Sequence, residues 1–201
     1  MTPAQDRMPP IPRDRMTDLQ RAAADELIAG PRKGVKGPFI PLLRSPELMA
    51  RLQRVGEYLR FQSSLPVRLS EFATLIVARQ WTQQFEWFVH VPLALAAGTA
   101  PATIAALREG RRPVAMSDPE AMVHALVTEL ALSKGVSEPL YRECVASLGE
   151  QGVLDLIGLV GYFTMISMVL NVAGTPADAV AGVAPLPDLA SPGAAQASIA
   201  P

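Results

Sequence analysis

Glu86 and His90 stand four residues apart in "FEWFVHVPLALAAG", with Trp87, Phe88 and aliphatic residues around them. On a helix that spacing puts a carboxylate and an imidazole on one face. A carboxylate one turn before a histidine fixes its tautomer and tunes its charge, as general acid–base catalysis requires. The same spacing also serves a histidine that is simply held in a core by its neighbour, and taken alone it leaves both readings open. Counting back along the stripe from His90 adds Trp87, Gln83 and Arg79. A cation, an amide, a carboxylate, an indole and an imidazole would then share one side of an otherwise apolar helix. Polar groups in such a place must be paired or must border a cavity, because an unpaired buried group costs about 1–3 kcal/mol.

Other chemistries lack their parts. One nearby histidine is too few for a zinc site. His124 has only Glu120 one turn before it and reads as structural. No glycine-rich phosphate loop and no Cys/His cluster is present, so neither metal, flavin nor nucleotide is expected. The single cysteine, Cys144, excludes an internal disulfide or a two-cysteine redox centre and fits a reducing, cytoplasmic location.

The elements that must position these residues are helical throughout. Thr17-Asp18-Leu19-Gln20 has the form of a capping box, and Gly30-Pro31 ends the helix it opens. Ser45-Pro46-Glu47 starts a second helix, along which Leu48, Leu52, Val55 and Leu59 recur at helical spacing. Ser70-Glu71 begins a long stretch to Gly98, in which Pro92 should kink or divide the helix just past His90. Further helices are expected over 101–109, 118–133, 137–148 and 150–173, with Gly149 as a stop between the last two. No segment alternates with period two, so the class is all-α.

At 201 residues, with 49% hydrophobic and 18% charged residues, the chain is long enough for one substantial core. That apolar content also suggests subunit contacts. A net charge of −1 gives no footprint for nucleic acid or an anionic membrane. The N-terminus lacks the apolar core of a signal peptide. The most apolar run, Leu156 to Leu170, is shorter than the roughly 20 residues of a membrane span and is expected to be buried. Residues 1–36 read as an N-terminal extension with one helix, 37–174 as the main helical domain, and 175–201 as a disordered Ala/Pro-rich tail.

Four stretches, "GPFIPLLRSPEL", "LPVRLSEFATLIVARQW", "FEWFVHVPLALAAG" and "DLIGLVGYFTMISMVLN", resemble the carboxymuconolactone decarboxylase family within the alkylhydroperoxidase D-like superfamily. The resemblance covers roughly Gly37 to Gly174. It implies an alkylhydroperoxidase D-like helical bundle that assembles as a homo-oligomer, trimeric or hexameric. In the peroxidase branch a glutamate precedes a Cys-x-x-Cys and a histidine; at that spacing this chain has Glu71, then Gln83 and Glu86 in place of the thiols, then His90. Dithiol peroxide reduction therefore lacks its thiols. The cysteine-free arrangement implies a cofactor-independent lyase acting on a small carboxylate or lactone. In that reading His90, Glu86 and Glu71 are catalytic, and Arg79, Gln83 and Trp87 bind substrate. Another acid–base enzyme (isomerase, dehydratase or lactone hydrolase) or a non-catalytic oligomeric binding protein would suit the same residues.

Overall fold

A computed structural model of the chain describes residues 6–188. Among these residues it holds eight α-helices and no strand: α1 (Asp18–Ala29), α2 (Phe39–Leu42), α3 (Pro46–Phe61), α4 (Val67–Gln80), α5 (Gln84–Ala96), α6 (Pro101–Arg108), α7 (Asp118–Ser133) and α8 (Glu138–Ala173). The all-α expectation holds. Start signals operate as the sequence suggests. Thr17 and Gln20 close a reciprocal capping box on α1, and Ser117 and Glu120 do the same on α7. Proline occupies the first turn of α3, α6, α7 and α8, where its missing N–H costs nothing.

α4 lies at the centre, packed against α5, α6, α7 and α8. Every residue from Leu69 to Arg79 is buried. α8 runs along the bundle against α2, α3, α4 and α7. Gly149 interrupts it with φ 70° and ψ 168°, the joint expected from the sequence. By length and composition α8 is apolar enough to cross a membrane, and half of its most apolar window is buried within the bundle. Its Asp155 carboxylate accepts hydrogen bonds from the Tyr58 hydroxyl (3.0 Å), the Ser64 amide (3.0 Å) and the Ser64 hydroxyl (2.8 Å). These bonds tie α8 to the α3–α4 connection.

Three expectations need correction. The long helix from Ser70 to Gly98 is two helices, and it divides at Trp81–Gln83 rather than at Pro92, which α5 passes through. No glycine or proline marks the break. Thr82 takes a left-handed φ of 47°, and Gln83 then caps α5 by accepting the Phe85 amide at 2.7 Å. The Gln83 amide donates to Asn171 Oδ1 (2.7 Å), whose own amide donates to the Trp81 carbonyl (3.0 Å), so α8 fixes the turn.

The second correction concerns residue 36, which is no structural boundary. α1 packs on α3, and the Glu26 carboxylate joins Gln53 and Arg54 of α3. Third, residues 175–188 are not an unstructured tail. Trp87 Nε1 donates to the Ala184 carbonyl (3.0 Å), Arg108 Nε to that of Pro185 (2.7 Å), Gln84 Nε2 to that of Leu186 (2.7 Å) and Arg79 Nη1 to that of Pro187 (2.7 Å). The Leu186 amide returns a bond to Gln84 Oε1 (3.0 Å), and its side chain is buried. A segment poor in charge and rich in proline is held here by side chains of its neighbours rather than by a ladder of its own. The remainder of the expected tail, residues 189–201, lies outside the described residues.

Gly56 on α3 sets how closely α3 approaches α8. A Cβ there would lie 2.3 Å from the Tyr162 hydroxyl and 2.7 Å from Arg32 Nη2. Gly56→Ala should therefore push Tyr162 and Arg32 aside, at a cost of about 1–3 kcal/mol of stability. Urea unfolding of the variant against the native chain measures it, and an unchanged midpoint would contradict the packing described.

Candidate active site

α4 and α5 fold back on each other as a helical hairpin, and that brings Glu71 to His90. His90 is 1% exposed. Its Nδ1 lies 2.6 Å from Glu71 Oε2 on α4, and its Nε2 lies 3.3 Å from Glu86 Oε2 one turn earlier on α5. The ring edge also meets Phe163 of α8 in a T-shaped contact with centroids 5.0 Å apart. Ionised carboxylates only accept hydrogen bonds, so both are satisfied at once when the imidazole is protonated on both nitrogens. Burial alone would push the His90 pKa down, but hydrogen bonds and charge from Glu71 and Glu86 outweigh it and hold the pKa above the ordinary value.

His90 and Glu86 form part of the wall of a cavity of about 220 Å³. Glu71 is behind the imidazole and does not line it. The other walls come from distant parts of the chain: Arg32 and Lys36 from the α1–α2 connection, Arg60 from α3, Phe85 from α5, and Tyr162 and Phe163 from α8. Arg32 Nη2 donates to the Tyr162 hydroxyl at 3.4 Å, and its guanidinium stacks 4.5 Å above the Phe39 ring. Burial, offset in part by Tyr162 and Glu86, lowers the Arg32 pKa; burial raises that of the Tyr162 hydroxyl. Buried Nε atoms of Arg32 and Arg60 find no hydrogen-bond partner among the described residues. A proton donor on one wall therefore faces three cations on the others, an arrangement suited to a small anion.

Of the residues singled out from the sequence, Glu86, His90 and Glu71 come together. Arg79, Gln83 and Trp87 do not join them. Arg79 and Trp87 hold carbonyls of residues 187 and 184, and Gln83 caps α5 against Asn171. A continuous helix would put Arg79 and Gln83 on the His90 face; the turn at Thr82 rotates Arg79 out of register, and Gln83, as the extended N-cap of α5, no longer follows the helical repeat. Trp87 stays on α5 but is one residue round from Glu86, which turns it to the 184–187 segment. The residues missed are Arg32, Lys36, Arg60 and Tyr162. Arg32 and Lys36 fall in "GPRKGVKG", whose basic and glycine-rich composition was the available signal.

Cys144 is fully buried, is not among the residues lining the cavity, and has its thiol pKa raised by burial and by Glu143. Among the described residues, no group of three His, Cys, Asp or Glu side chains converges to hold a metal ion. Compared with known protein families and with curated proteins, the chain matches none.

The raised pKa of His90 has a definite sign in stability. Its contribution is complete below pH 6.5, the ordinary value, and is lost as pH rises through the folded value. The urea midpoint of the native chain should fall on the alkaline side more steeply than that of His90→Gln. Parallel pH profiles would show that the imidazole is not held in its charged form.

Proposed function

We infer that the chain is a cofactor-independent acid–base enzyme, and that its reaction is decarboxylation of a small carboxylated lactone or related carbon acid. The observation that carries the reading is a histidine bonded to two carboxylates, which raise its pKa, in the wall of a cavity that also presents Arg32, Lys36 and Arg60. The motif resemblance around Glu86 and His90 points the same way.

In this reading the cations bind the substrate carboxylate and neutralise the oxygen of the enolate that forms. They take the role expected of Arg79. Loss of carbon dioxide breaks a C–C bond and leaves its electron pair on the substrate, delocalised into the carbonyl. His90 then gives a proton to carbon. The Nε2 contact to Glu86, at 3.3 Å, is the weaker of its two, and Glu86 shares the cavity wall. The proton leaves from that side. Glu71, at 2.6 Å on Nδ1, keeps the ring oriented and stabilises its charge. A proton taken up from solvent restores His90 after product leaves, and the step balances: substrate carboxylate and one proton in, carbon dioxide and the lactone with its new C–H bond out. A cavity of about 220 Å³ is below the usual range of roughly 300–1,000 Å³ for drug-sized ligands, in keeping with a compact substrate.

Self-association belongs to the same reading. Leu154, Ile157, Met168 and Val172 recur along one exposed stripe of α8. An apolar stripe on an already apolar chain suits contact with another copy. Sedimentation of the native chain should give an oligomer at micromolar concentration, and Ile157→Glu combined with Met168→Glu should give a monomer. A native monomer would refute the assembly.

Carbon dioxide release from unsaturated carboxylactones tests the reaction. His90→Gln should lower kcat by about 10²–10⁴-fold while the fold survives. Arg60→Gln should act chiefly on KM, and kcat of the native chain should fall as pH rises through the His90 pKa. Product analysis separates decarboxylation from isomerisation or lactone hydrolysis on the same substrates. Turnover that survives His90→Gln, or no turnover of any such substrate, would overturn the reading.

A further inference from the structure

A second cavity, of about 480 Å³, opens farther along α4, between that helix, α7 and the end of α6. Arg79, Arg112, His124 and Thr128 supply its polar side, and no carboxylate is among its lining residues. Arg111 also reaches it but is ion-paired with Glu109. Arg79 is 7% exposed. Its Nη1 donates to the Pro187 carbonyl at 2.7 Å, yet its buried Nε has no partner among the described residues. Leaving a buried donor unpaired costs about 1–3 kcal/mol, so an occupant that accepts from it would be stabilised.

The geometry says where the occupant would sit. Gly110, at φ +71°, faces this edge of the guanidinium: a Cβ there would lie 3.5 Å from Arg79 Nε and 3.6 Å from Nη2. No side chain from residue 110 stands against the Nε–Nη2 edge, which is the edge that matches a carboxylate bidentately. Burial and the charge of Arg108 both work against the Arg79 cation, and no described carboxylate offsets them. Ile76, Leu107 and Leu132 give the rest of the cavity an apolar wall. We propose that this cavity is a second binding site, separate from His90, for a small organic anion with an apolar body. Its carboxylate would seat on the Nε–Nη2 edge of Arg79, with Arg112 adding charge, and its hydrocarbon part would lie against Ile76, Leu107 and Leu132.

Calorimetric titration of the full chain with benzoate, and separately with inorganic phosphate, tests this site. Benzoate should fill a site that persists in Arg60→Gln, the variant that weakens any benzoate held in the His90 cavity. Arg79→Gln should weaken binding at that persisting site about tenfold or more, and Arg112→Gln severalfold. Phosphate, which has the charge but no apolar body, should bind at least about tenfold more weakly than benzoate. Arg79 also holds residue 187, so Leu132→Asp gives an independent arm. Leu132 is 78% exposed at the rim, and the change removes apolar wall and adds a like charge. It should also cost about tenfold. Benzoate binding that survives both Arg79→Gln and Leu132→Asp, that is lost in Arg60→Gln, or that is absent up to about 10 mM would overturn the assignment.

Discussion

Taking an imidazolium and two carboxylates out of water is unfavourable unless each charge meets a partner in good geometry. Here the imidazole has one carboxylate on each nitrogen, at 2.6 and 3.3 Å, and much of the surrounding architecture serves that arrangement. Glu86 comes without effort from the helical repeat. Glu71 does not, because it must cross from one helix to the next. That crossing requires a tight α4–α5 turn, the turn requires a left-handed Thr82 and a capped Gln83, and the cap is pinned by Asn171 at the end of α8. The trio places two carboxylates against one imidazole. Arg32, within electrostatic reach of Glu86, and Arg60 in the same cavity wall set further cations beside it.

Close approach of backbone completes the enclosure at two glycines. Gly56 lets the Tyr162 hydroxyl and Arg32 lie against α3. Gly37, at φ +53°, sits where a Cβ would be 2.2 Å from the Phe85 ring, so the loop bearing Lys36 can close over the start of α5. Gly56 stands in no motif, and Gly37 opens one of the resembling stretches. Both are set by contacts between segments far apart in the chain.

That distinction governs what could be read in advance. Caps, first-turn prolines and the Gly149 joint are local, and the sequence displays them: α1, α7 and both arms of α8 begin and end close to their signals, and α3 begins at its own. The Glu86–His90 pair is also local, being one helical turn. The break at Thr82 carries no glycine or proline, because a left-handed threonine is stabilised there by Gln83, Asn171 and the Trp81 carbonyl rather than by its own preference. Without that break the helical repeat would carry Arg79 and Gln83 onto the His90 face. Arg32, Arg60 and Tyr162 were illegible for a different reason. Each reads as an ordinary solvent-side cation or core aromatic until tertiary packing brings α1, α3 and α8 together. The 184–187 segment shows the same limit: its composition cannot build a core, but it can complete one made by others.

The cavity around His90 draws its walls from residue 32 near one end of the described chain to residue 166 near the other. No contiguous half of the polypeptide contains it. Contacts so distant in sequence close late in folding, since the loops between them must be ordered first. During synthesis α4 and α5 emerge early, but the Asn171 side chain that pins the turn between them arrives only with the end of α8. The cations of the N-terminal segment and the aromatic wall of α8 cannot meet until α8 has left the ribosome. A chain cut short of α8 would thus carry His90 and its two carboxylates without the walls that enclose them.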